Sequence, residues 1–196
     1  MCGKKRVKKI ERFDAKHASI AQSFYVNPEH CENPQHFEGY IRLNAYGDFR
    51  SGMSTTHVMV EYEDGCDDPV CLNGYISLKA TSLVIEDNTL SGYPALEISE
   101  LAVDKKFEGQ HYGKALLEYA VRICDELREQ IGIKYLLVCA EKNAESYYKH
   151  VLPFHNAGDY YIIPREQWNE NCIPLYLWLP EKSNEPRYCM DDEEDE

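Results

Sequence analysis

The chain has 196 residues, 43% of them hydrophobic, and a formal net charge of −13. That length fits one domain, or one domain with extensions, and the apolar fraction is enough to build a core. No stretch has the run of apolar residues needed to span a bilayer, and the acidity disfavours general binding to phosphate backbones while suiting a cationic acceptor such as an amine.

The first dozen residues, MCGKKRVKKIER, hold six Lys/Arg and one Glu and read as a mobile basic arm. They lack the apolar region of a secretory signal, so a cytoplasmic location is expected. In that setting the eight Cys, at 2, 31, 66, 71, 124, 139, 172 and 189 with no Cys-x-x-Cys pair, read as free thiols, and no metal site is expected. From Phe13 to Tyr25 the apolar spacing is loosely helical, with Asp14 as an N-cap candidate. Pro28 and Pro34 bracket a His- and Asn-rich loop, and His30, Cys31 and His36 read as water-facing residues around it. Phe37 to Tyr46 reads as a second short helix.

His57–Glu61 and Val70–Leu78 read as the two strands of a hairpin around an acidic turn, with Gly74 at a bulge or a close contact. Ser82 to Leu90 reads as a further short strand or loop. Leu96–Val103 is an apolar run of strand length, and Asp104–Gly109 is a charged connector. Gln110 to Ala115 opens a helix running from Lys114 to Ile131, with one apolar stripe and Gly132 as the stop. Such a start leaves backbone N–H groups unpaired at the positive end of the helix dipole, a seat for phosphate that Gly113 lets an anion approach closely. Ile133–Ala140 is a near-continuous apolar run, as in a strand buried on both faces. Strand, helix and strand form a right-handed parallel unit. Pro153 ends the next helix. Tyr160–Ile163 and Ile173–Leu179 read as closing strands, joined by a connection with a helical turn, and residues 181–196 as an acidic tail.

The motif Gln110-x-x-Gly113-x-Ala115, preceded by Glu97-Ile-Ser-Glu-Leu-Ala-Val103-Asp, resembles the acyl-CoA signature of the GNAT N-acetyltransferases. Ala144-Glu-Ser-Tyr-Tyr148 resembles the family's second motif, with Glu141 where the family often has Asn, no Gly before Phe154 and one extra residue there. The resemblance implies a mixed α/β fold: a central twisted sheet of about six to seven strands, helices on both faces, and a V-shaped splay between the strands near 96–103 and 133–140. A single acetyltransferase domain is expected at 13–180, and the resemblance runs from about Val58 to Phe154. It implies that acetyl-CoA is the cosubstrate, with its pyrophosphate on Gln110, His111, Tyr112, Gly113, Lys114 and Ala115. The pantetheine arm would lie along Leu101, Ala102 and Val103, with the CoA-facing amide either lost at Glu141 or moved to Asn143.

Acetyl transfer to an amine needs a group that takes the amine's proton, an N–H for the carbonyl oxygen and a proton donor for the sulfur. The resemblance gives the last two roles to Val103 and Tyr148. The base is left open between Glu97, Glu100 and water, and pleat alternation puts the two carboxylates on opposite faces unless a bulge intervenes. Tyr147, about 100° away around the helix from Tyr148, is expected to matter little. The implied function is acetyl-CoA-dependent N-acetylation of a primary amine, on a small molecule, peptide or protein, by direct attack in a ternary complex. Two alternatives stand beside it: a toxin acetylating the amino group of aminoacyl-tRNA, and a non-catalytic CoA-binding sensor or scaffold. The expected assembly is a monomer or homodimer with no membrane partner.

Overall fold

A computed structural model describes residues 6–83, 92–157 and 172–180. The alternating segments form one seven-stranded sheet: β1 (Arg6–Arg12), β2 (Thr55–Glu63), β3 (Pro69–Leu83), β4 (Tyr93–Val103), β5 (Tyr135–Glu141), β6 (His155–Asn156) and β7 (Cys172–Trp178), in the order β1-β2-β3-β4-β5-β7-β6. All neighbours are antiparallel except β4 and β5, the pair joined by a helical crossover. The mixed α/β architecture of the sequence reading therefore holds. The expected strand at Tyr160–Ile163, the helical turn after it, the acidic tail and most of the Ser82–Leu90 segment lie outside the described residues.

The N-terminal basic segment differs from expectation. Arg6–Arg12 is no free arm but an edge strand, paired with β2 from Arg6↔Glu63 to Arg12↔His57. Its backbone satisfies the β2 edge while its long cationic side chains stay largely in water. Arg6 reaches the buried Glu61 at 3.2 Å, and Lys9 lies over the Tyr62 ring at 4.8 Å from its centroid.

Helices cover both faces. On one side α4 (Tyr112–Leu127) sets its apolar stripe of Leu116, Leu117, Ala120 and Cys124 on Ile76, Leu96, Ile98 and Leu136. It stops at Leu127, four residues before the stripe read from the sequence, because Ile131 is 56% exposed and has no apolar surface to hold another turn. On the other side α1 (Ala18–Ala21), α2 (Pro34–Gly39) and α3 (Ala45–Ser51), with a turn of π-helix between the last two, enclose Phe24, Ile41, Val58, Val60 and Tyr75. Asp14 caps the turn before α1, accepting from the Lys16 N–H at 3.0 Å. Asn33 caps α2, so Pro34 sits at the first helical position, where its missing N–H costs nothing.

Three register shifts interrupt the sheet, two between β2 and β3 and one between β3 and β4. Gly74 sits at a register shift in the β2–β3 hairpin, and a Cβ there would stand 2.9 Å from the Ala102 carbonyl oxygen. The shift between β3 and β4 is a bulge that inserts Ser99 into β4, between the pairs Leu78↔Ile98 and Ser77↔Glu100. The cysteines also depart from the reading as eight free thiols: Cys139 and Cys172 form a disulfide between β5 and β7, with Cα atoms 5.5 Å apart. Spacing along the chain cannot reveal this pair, which adjacent strands bring together across a separation of 33 residues. Cys31, Cys66, Cys71 and Cys124 are free. Among the described residues no helix is long and apolar enough to cross a membrane.

Candidate active site

β4 and β5 pair only over Ala95–Ile98 and Tyr135–Val138. Beyond that point β4 follows β3 to Val103, and β5 follows β7 to Glu141. The strands part where Ser99 is inserted, and the opening is a cleft of about 360 Å³. Ile98, Glu100, Leu101, Ala102 and Val103 form one wall, Val138 to Glu141 the other, and Tyr148 of α5 (Glu145–Val151) is part of its lining. The 26–37 segment closes one side with Asn27, His30, Cys31 and His36.

The bulge decides the fate of the two carboxylates. Before it, Leu96 and Ile98 face α4; after it, Leu101 and Val103 do. Glu97 and Glu100 therefore share the opposite face, the case that alternation alone excluded. Their surroundings differ. Glu97 is 8% exposed and ion-paired with Lys79 at 3.2 Å, away from the cleft lining. Glu100 lines the cleft and accepts from His36 Nε2 at 2.9 Å. The Glu100 carboxylate raises the His36 pKa above its ordinary 6.5, outweighing partial burial.

Tyr148 is 6% exposed, its ring edge-on to Phe154 at 5.6 Å. Burial, reinforced by Tyr147, Glu100 and Glu141, pushes its hydroxyl well above the ordinary phenol value. It stays protonated and is a standing hydrogen-bond donor in the cleft. The missing Gly and extra residue before Phe154 leave Tyr148 facing the cleft, because Phe154 still packs on its ring.

The start of α4 is the second feature. His111 takes a left-handed conformation with φ 61°. No side chain caps the helix and no acidic residue stands in its first turn, so the first N–H groups remain available to an anion. Gln110, His111, Tyr112, Lys114 and Ala115 line a groove shared with Lys8, Lys9 and Ile10 of β1. Lys8 donates to the Tyr112 hydroxyl, which raises the lysine's pKa. Gly113 faces the other way, toward Val103 and Tyr147, and the space beside its Cα is taken by the Tyr147 hydroxyl.

The structure thus brings Glu100, Leu101, Ala102, Val103 and Tyr148 to one cleft and the 110–115 residues to one helix start. It leaves Glu97 and Asn143 outside the cleft lining; Asn143 donates its amide to the His30 carbonyl at 3.3 Å. What sequence reasoning missed is how the 26–37 segment is held over the cleft. Glu141 accepts from the Glu32 N–H at 3.1 Å, and Glu108 accepts from Asn27 at 2.8 Å, pinning the loop read as free in water. It also missed His36; its place two residues after the Pro34 helix start was the one available signal. Among the described residues no group of three or more His, Cys, Asp or Glu is arranged to hold a metal ion.

Residues 20–152 match the acetyltransferase (GNAT) family. No curated protein matches the sequence. Among solved structures, a tyrosine-to-phenylalanine mutant of the toxin AtaT, bound to the C-terminus of the antitoxin AtaR and acetyl-CoA, is 17% identical with a TM-score of 0.66, over 87% of this chain and 92% of that one. A tyrosine-to-phenylalanine mutant of KacT is 16% identical with a TM-score of 0.67, over 87% and 94%. AtaT complexed with acetyl-methionyl-tRNA is 17% identical with a TM-score of 0.66, over 89% and 95%. At such identities the likeness is one of fold.

Proposed function

Since the chain belongs to the GNAT acetyltransferase family, we propose that it moves the acetyl group of acetyl-CoA onto a primary amine bound on the Glu100 side of the cleft, by direct attack in a ternary complex. The observation that carries this reading is the meeting of Glu100, Val103 and Tyr148 where β4 and β5 part. The residues present suit the cosubstrate: the α4 start is uncapped, and the open β4 edge leads from it into the cleft.

Acetyl-CoA supplies an acyl thioester. Glu100 takes the proton an ammonium acceptor must lose, directly or through water. His36 orients that carboxylate. The Val103 N–H faces the carbonyl oxygen as charge builds there. Tyr148 donates to the sulfur as the carbon–sulfur bond breaks and the nitrogen–carbon bond forms. Glu100, Glu108 and Glu141 make the cleft mouth acidic and favour a cationic acceptor. The test is release of free CoA thiol with an amine library, products identified by mass spectrometry. Acetylated amine is the expected result. Binding of acetyl-CoA without thiol release from any amine would leave the sensor or scaffold reading.

A second reading, acetylation of the amino group of aminoacyl-tRNA, is favoured by one observation. Lys8 and Lys114 gather at the groove by the α4 start, a local basic surface on an acidic protein. The solved structure of AtaT with acetyl-methionyl-tRNA is in keeping with this reading. Acetylation of charged tRNA that weakens steeply with salt would select it over the small-amine reading.

A further inference from the structure

Tyr147 holds the space beside Gly113. A Cβ built on Gly113 would collide with the Tyr147 hydroxyl, lie 3.2 Å from its Cζ, and stand 3.7 Å from Val103 Cγ2. The Cβ position is one bond from the Cα, so the hydroxyl shares the first turn of α4 with the Gly113 N–H. No acidic residue stands in that turn and no side chain caps it. The Tyr147 hydroxyl has no hydrogen-bond partner within the protein among the described residues, and the residue is 38% exposed. Burial pushes its pKa up to about 12, so it is a neutral donor at any working pH. An unpartnered donor beside unpartnered N–H groups serves an acceptor that arrives from outside.

We infer that Tyr147 is a cofactor-positioning residue whose hydroxyl donates to the diphosphate of acetyl-CoA seated on the α4 start. The inference rests on the acetyl-CoA reading above and adds a residue to it. It also gives Gly113 a second reason: any side chain there displaces the hydroxyl as well as crowding the anion. Tyr147 and Tyr148 then divide the cosubstrate between them, one at the diphosphate and one at the sulfur, since neighbouring residues of a helix point about 100° apart.

Tyr147→Phe removes one oxygen and keeps the ring that packs edge-on against Tyr148 at 5.7 Å. Calorimetry should show acetyl-CoA affinity falling about tenfold to a hundredfold, the worth of a hydrogen bond to a charged group. The KM for acetyl-pantetheine, which has no diphosphate, should stay at the unmodified protein's value, and an unchanged melting temperature would show the fold intact. Equal acetyl-CoA affinity in Tyr147→Phe overturns the inference. Tighter binding overturns it too, since the hydroxyl would then be a plug. So does an equal loss for acetyl-pantetheine, which places the hydroxyl on the arm or the fold. If the unmodified protein binds no acetyl-CoA, it is the proposed function that falls.

Discussion

The cleft between β4 and β5 and the start of α4 lie side by side and carry opposite charge. The cleft lining includes Glu100, Glu108 and Glu141; the groove at the α4 start presents Lys8 and Lys114, with one acid, Glu118. A net charge of −13 hides this division. Electrostatic attraction acts over about a Debye length, roughly 8 Å in physiological salt, so a ligand responds to the local field rather than the total. Under the proposed function, the anionic cosubstrate and the cationic acceptor would each meet a patch of opposite sign.

The sharpest way to break the comparison is at the donor in the cleft. Tyr148→Phe should lower turnover about 10²–10⁴-fold, the usual worth of one acid–base group, with acetyl-CoA affinity nearly unchanged in calorimetry. A variant with normal turnover would move the proton donor elsewhere. Next come the two carboxylates that the bulge puts on one face. Glu100→Gln should cost about 10²-fold in kcat, whereas Glu97→Gln should act mainly on the melting temperature, because it leaves Lys79 half-buried without its partner. The reverse pattern would return the base to Glu97.

Charge reversal on the basic side tests the other half. Lys8→Glu with Lys114→Glu should raise the KM for acetyl-CoA several-fold, with the gap closing at high salt, and leave kcat near normal. If the loss falls on a charged tRNA substrate instead, the groove belongs to the acceptor. The smallest effect is in the pH profile. The His36 pKa is raised by Glu100, so the ion pair is fully formed below 6.5 and is lost as pH rises through the higher folded value. Glu100 is then released from the cation and can take the amine's proton. Turnover should rise by a few-fold in that window, and the step should vanish in His36→Gln, measured with saturating acetyl-CoA.

Much of this was legible in the chain. Alternation and apolar runs identified β2, β4 and β5, and the three-and-four spacing identified α4, because those elements owe their form to burying one face or both. Asp14 was readable as a cap for the same local reason. β1 was not, since its pattern of cations is that of a solvated arm, and only the open edge of β2 makes it a strand. The Cys139–Cys172 bond and the His36–Glu100 pair join residues far apart in sequence, and no local rule relates them.

By itself the sequence determined the strand–helix–strand unit from Leu96 to Ala140 and the residue types at its helix start, since both rest on short-range periodicity and backbone chemistry. Tertiary structure alone decided which carboxylate meets the cleft. One inserted residue, Ser99, reverses the faces of everything after it in β4. Whether a strand bulges depends on the register of its neighbour rather than on its own letters. The same holds for Tyr147: its hydroxyl meets Gly113 because α5 packs against the start of α4, a contact across 34 residues that sequence spacing cannot express.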